Sequence, residues 1–155
     1  MTEFRGAWDE TKVATFLSEA TIPIRIAVHR PDGSLWPVAL WYRYRDGAFE
    51  CATRADADVV RFLRRDPSVA VDVSTNEIPY RGVRGTGTAT VSEDGADEVL
   101  RALVDRYLGD ADSSLARELL REDREEVHIR IEPAALFSWD YADRMGDVGR
   151  PSGDS

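Results

Sequence analysis

The feature that most constrains this chain is a residue period of two, repeated in short runs that turn signals separate. Ile22, Ile24, Ile26 and Val28 fall on one face of an extended segment, and Pro23, Arg25, Ala27 and His29 on the other. Alternation of that kind predicts a β-strand with one buried face. Pro31-Asp32-Gly33 is a turn, and Leu35 to Tyr44, rich in Trp, Tyr and Val, reads as the next strand. Asp46-Gly47 is a hairpin turn, so Ala48 to Thr53 returns as its partner. Val69, Val71 and Val73 alternate again, as do Tyr80 to Val91 and Val127, Ile129 and Ile131. After Pro133, Leu136 to Tyr141 reads as a last strand.

Helical spacing interrupts the strands in a few places. Val13, Phe16, Leu17 and Ala20 form one helix face, with Asp9 or Thr11 as its cap. Asp56 is the expected cap of a short helix that runs to about Arg65 and stops at Asp66-Pro67. Val99, Leu100, Leu103, Val104, Tyr107 and Leu108 predict a longer helix ended by Gly109, and Leu115, Leu119 and Leu120 a further short one. Strands joined by hairpins, with helices inserted between them, argue against a doubly wound parallel sheet. The expected fold is mainly β: an antiparallel β-barrel with peripheral helices. Residues 1–145 form a single domain in this reading, and 146–155 a flexible tail with nothing to bury.

Charge narrows the partners. The chain has 155 residues, with 20 Lys and Arg against 29 Asp and Glu, a net charge of −9. Such a chain repels phosphate backbones at long range, which disfavours nucleic-acid binding. Lys12 is the only lysine, and aspartate outnumbers glutamate. That pattern fits either solubility in concentrated salt or a GC-rich genome. No apolar run is long enough to cross a membrane and the N-terminus does not read as a signal peptide, so a cytoplasmic protein is expected.

Few residues suggest catalysis or metal binding. The single cysteine, Cys51, excludes an internal disulfide and reads as a buried, inert thiol. His29 and His128 lie on the polar faces of strands without fixed acidic partners, so no metal site is expected. Gly82, Gly85 and Gly87 have no helix behind them to cradle a phosphate. They read instead as sites where a flat ligand or a second subunit approaches the backbone. The aromatics Trp36, Trp41, Tyr42, Tyr44, Trp139 and Tyr141 either fill a barrel and an interface or line a pocket for a flat ring.

The order of segments resembles a known family. Trp41-Tyr42, the Asp46-Gly47 hairpin, Phe49 to Thr53, Leu63, Asp66-Pro67 and Val69-Ala70-Val71 follow one another as in the pyridoxamine 5′-phosphate oxidase-like FMN-binding split barrels. VRGTGTATV and Trp139-Asp140-Tyr141 resemble that family's later strands, and the likeness spans about residues 10 to 141. It implies a six-stranded antiparallel split barrel, homodimeric, with FMN or a deazaflavin at the dimer interface. It also implies an oxidoreductase acting on a small molecule, in which the cofactor carries the chemistry and no catalytic side chain is required. Residues placed at the cofactor by the likeness are Val38, Ala39, Leu40, Trp41 and Tyr42 along the ring, Thr53 and Arg54 at the phosphate, and Trp139 beside the ring. Arg54, Arg61, Arg81 and Arg84 are the candidate substitute cations, none of them at the family's position.

One segment departs from the family pattern. The family's Ser, Arg and Lys at the helix start fall here on Ala57, Asp58 and Val59. Each lost charge-assisted contact costs about 1.5–3 kcal/mol, and three together rival the whole free energy of micromolar binding. The alternative reading is therefore a split barrel that has lost FMN and binds another flat ligand, a deazaflavin included, or a partner protein.

Overall fold

The computed structural model describes residues 1–109, 113–121 and 125–142; the expected tail, 146–155, lies outside them. In chain order the elements are β1 (Glu3–Gly6), α1 (Glu10–Glu19), β2 (Ile24–His29), β3 (Leu35–Leu40), β4 (Arg43–Arg45) and β5 (Ala48–Arg54). There follow α2 (Asp58–Arg65), β6 (Ser68–Ser74), β7 (Arg81–Ser92), α3 (Ala96–Leu108), α4 (Ser114–Leu119) and β8 (Glu126–Asp140). The strands form one sheet in the order β3-β2-β6-β7-β8-β5-β4. Every pairing along that path is antiparallel, and β1 adds to β8 in parallel.

The two ends of the path, β3 and β4, are separated by only Trp41 and Tyr42. One stretch of chain thus serves both edges: its first half pairs with β2 and its second with β5. The strand expected over 35–44 is broken there because both side chains turn inward. Tyr42 is fully buried, and its one hydroxyl proton is shared between the carbonyls of Leu17 (2.7 Å) and Ala20 (3.0 Å) at the end of α1. The sheet has eight strands where six were expected. The break accounts for one of the extra strands and β1, which the period did not signal, for the other.

The alternation read from the sequence builds the core. Ile24, Ile26 and Val28 face inward with Val69, Val71 and Val73, and with Ile129, Ile131 and Leu136. Helix α1 adds Val13, Phe16 and Leu17 and is capped by Asp9, whose carboxylate accepts from the Lys12 amide. Helix α2 adds Val59, Phe62 and Leu63. Its N-cap is Ala57 without a side-chain bond, not Asp56, because Asp56 is engaged by Arg54. A second, smaller cluster lies beneath α3 and α4, where Leu100, Val104 and Ala116 cover Trp41 and Ala52.

Local turn chemistry behaves as read. Asp46 and Gly47 both take positive φ (54° and 76°), the backbone that lets a two-residue loop match the strand twist. Gly109 ends α3 in the left-handed region. The two last strands expected after Glu126 are one, β8. Pro133 is accommodated because the register with β7 shifts between Thr86 and Gly87, leaving Ala134 without a cross-strand partner.

Candidate functional site

The outer face of the sheet is set by strand parity. Arg25, Ala27 and His29 on β2 face away from the core, as do Ala70 and Asp72 on β6 and Arg84, Thr86 and Thr88 on β7. Cross-strand register then fixes two adjacent rows. One runs Pro37–Ala27–Ala70–Thr86–Ala135–Glu3 and carries small or compact side chains as far as Ala135, with the Glu3 carboxylate at its end. The other runs Ala39–Arg25–Asp72–Arg84–Phe137–Arg5.

Where these rows cross β6, β7 and β8 there is an open groove of about 670 Å³. Its floor is Ala70, Thr86 and Ala135, its aromatic wall Phe137 and Trp139, and its charged rim Arg5, Asp72 and Arg84. That volume lies within the roughly 300–1,000 Å³ of small-molecule sites. The Arg84 guanidinium lies over the Phe137 ring at 5.0 Å and makes no ion pair with any described residue. Arg5 is bound to Glu3 at 2.7 Å. The indole Nε1 of Trp139 is buried and has no acceptor among the described residues. A shallower hollow lined by His29, Leu35 and Thr88 shares Ala70 and Thr86 with the groove and extends it toward β3.

Within one copy, the residues that the family likeness places at a cofactor lie in several places. Trp139 lines the groove. Trp41 stacks on Tyr107, 4.9 Å between centroids and 4° between planes, under α3. Tyr42 is in the core, and burial pushes its hydroxyl well above the ordinary tyrosine range. Within one copy Trp41, Tyr42 and Trp139 therefore lie in three different surroundings. Val38 and Leu40 are half-buried against the core, while Ala39 is exposed at the head of the charged row. Thr53 and Arg54 pair with Val127 and Glu126 at the start of β8, whereas the groove uses its far end. Ten residues of strand, about 30 Å along β8, separate them. Arg81 has the opposite parity to Arg84 and lies over Phe16, 5.9 Å from its ring, in a separate small pocket beside Trp8.

At the start of α2, where a phosphate is expected, the cations are already taken. Arg54 donates from Nε and Nη2 to the two oxygens of Asp56, each at 3.2 Å, and Arg61 pairs with Asp58 at 3.2 Å. These residues do not fit a phosphate. The groove fits a flat ring.

Other expectations are revised or met. Gly82, Gly85 and Gly87 mark close approach of neighbouring strands. A Cβ at Gly85 would stand 2.0 Å from the Ala135 carbonyl oxygen, and one at Gly82 would meet Ser74. Cys51 is fully buried, and desolvation pushes its thiol up to about 12. His128 is not a surface residue: its Nε2 lies 3.1 Å from Oε2 of Glu50, close enough for an ion pair but not aligned for a hydrogen bond. Glu50, missed by the sequence reading, is 5% exposed and accepts from Arg43 Nε at 2.8 Å, with Arg45 Nε at 3.2 Å. Arg43 also binds both oxygens of Glu98 and holds that carboxyl below its ordinary range. This buried carboxylate is matched by arginines within the fold. Among the described residues no group of His, Cys, Asp and Glu is placed to hold a metal, and no helix is long and apolar enough to cross a membrane.

No family model and no curated protein matches the chain. Solved structures do. A conserved hypothetical protein from Mycobacterium tuberculosis superposes with a TM-score of 0.74 at 25% identity, over 96% of this chain and 92% of that one. An F420 reductase gives 0.64 at 23% identity over 77% and 92%. A FAD-binding protein from Mesorhizobium loti gives 0.62 at 19% identity over 84% and 93%. The antiparallel order, the edge-to-edge closure through Trp41-Tyr42 and these superpositions agree: the chain has the fold of the pyridoxamine 5′-phosphate oxidase-like split-barrel superfamily.

Proposed function

We propose that this chain is a flavin-type split-barrel oxidoreductase that binds FMN or a deazaflavin and acts on a small organic molecule as a homodimer. The observation that carries this reading is the open groove of about 670 Å³ on the outer face, with a floor of small side chains and an aromatic wall. A fold shared with an F420 reductase and a FAD-binding protein supports it.

When bound, such a cofactor accepts or gives a hydride, so the protein's own part is to hold the ring and exclude water. Ala70, Thr86 and Ala135 leave the backbone open to a planar ring, and Phe137 and Trp139 wall one side. A second copy seated on the hollow around His29 and Leu35 would close the open side, which is why the dimer belongs to this reading.

One observation favours a second reading, a barrel that no longer takes FMN. It is the pairing of Arg54 with Asp56 and of Arg61 with Asp58 where a phosphate is expected. An absorbance spectrum of the purified protein separates the two. It is recorded in high salt, again after adding FMN, and again after adding a deazaflavin. Flavin or deazaflavin bands that stay with the protein through gel filtration are expected. A colourless protein that retains neither overturns the oxidoreductase reading.

A further inference from the structure

Resting on that reading, we propose that the flat ligand's anionic group is held in the outer-face groove by Arg84, and not at the start of α2. The ligand class is a planar ring system carrying a phosphate or carboxylate tail.

Arg84 has unspent donors. A guanidinium carries five N–H groups in a planar fork that matches phosphate and carboxylate oxygens. The ring of Phe137 supports one face of that plane at 5.0 Å and leaves its edges free. Asp72, the cross-strand neighbour of Arg84, accepts instead from the Ser74 hydroxyl at 3.1 Å. Arg5, on the same rim, is spent on Glu3. Arg84 is thus the rim cation left to meet an incoming anion beside the ring floor of Ala70, Thr86 and Ala135.

The start of α2 presents the opposite chemistry. Its N-cap Ala57 offers no side-chain group, and Asp56 and Asp58 each occupy the arginine within reach. A phosphate arriving there must displace a carboxylate and then stand beside it, so like charges oppose it at short range.

FMN and riboflavin share a ring and differ by one phosphate, so their affinity ratio reads the anion contact whatever the native ring is. Both are titrated by flavin fluorescence against wild type, Arg84→Gln, Arg84→Lys and Arg54→Gln, with circular dichroism to verify the fold. Wild type is expected to bind FMN about tenfold more tightly than riboflavin, the scale of one charge-assisted contact. Arg84→Gln is expected to bring the ratio to about one with riboflavin affinity unchanged, Arg84→Lys to restore part of it, and Arg54→Gln to leave it intact. A ratio that survives Arg84→Gln, that collapses in Arg54→Gln, or that is one in wild type overturns the inference while leaving a flavin protein. Failure of wild type to bind either flavin overturns this inference, and the proposed function falls with it only if the protein also retains no deazaflavin.

Discussion

Three side chains at the end of α1 bear more of the stability than their positions suggest. Arg106 donates from Nη1 to the Ser18 carbonyl (2.7 Å) and from Nη2 to those of Leu17 (3.0 Å) and Ala20 (2.8 Å). A helix leaves its last carbonyls without intrahelical donors, and a cation there also meets the negative end of the dipole. The same guanidinium lies 5.0 Å from the Tyr42 ring and 5.5 Å from that of Tyr107. Tyr107 in turn donates to the Ile22 carbonyl at 2.8 Å and accepts from the Tyr42 amide at 3.2 Å. Arg106→Ala is expected to cost about 3 kcal/mol, since it strands several acceptors and removes two ring contacts. Tyr42→Phe is expected to cost about half as much, because Arg106 still serves the Leu17 and Ala20 carbonyls. Urea unfolding of both variants measures this, and a loss under 1 kcal/mol for Arg106→Ala would show that the carbonyls are served by water instead. Sequence placed Tyr107 on a helix face but could not give the node, because its partners are backbone groups some 85 residues away.

At the scale of elements, β7 and β8 show how tightly the sheet constrains sequence. Gly85 and Gly87 sit where the β8 backbone comes so close that a methyl group would overlap carbonyl oxygens of Ala135 and Glu132. Gly85→Ala should therefore force the strands apart, costing about 3 kcal/mol and lowering the melting temperature by about 10 °C. Gly47 tests a different cause: its turn is open on all sides, but its φ is 76°. Gly47→Ala pays only for the left-handed backbone, about 1 kcal/mol. Calorimetry of the two variants should rank them in that order; equal losses would mean that β8 gives way at no cost. The turns and caps at Asp9, Asp46-Gly47 and Gly109 were legible because each is a local interaction of a few residues. The fusion of β8 through Pro133 was not, since a proline reads as a break until a bulge beside it in the same strand, at Ala134, is seen to interrupt the ladder there. β1 was equally hidden: four residues paired in parallel to β8 carry no period long enough to see.

For the whole molecule, sequence located the strands of the candidate site but not their faces. Arg81 and Arg84 lie three residues apart on one strand, so they point to opposite sides of the sheet. Only the register showed that Arg84 shares the groove with Trp139 while Arg81 leans on Phe16. Thr53 and Trp139 were grouped by family order, yet they stand at opposite ends of β8. The outer face also bears on assembly. It leaves Phe137 40% exposed and Leu35 64% exposed beside the small-residue row, an apolar surface suited to a second copy. Two copies that each carry a net charge of −9 repel at long range, whereas the hollow where the proposed contact would form is lined largely by short side chains such as Ala27, Ala70 and Ala134. Salt should then strengthen the proposed dimer, because screening shortens the range of repulsion from about 10 Å at 0.1 M to about 3 Å at 1 M. Light scattering across a sodium chloride series is expected to show the dimer dissociation constant falling about tenfold over that range. Ala70→Arg, which places a cation in the small-residue row, should leave a monomer at every salt concentration. A dissociation constant that rises with salt would mean that ion pairs hold the subunits together, and a monomeric wild type throughout would remove the dimer from the proposed function.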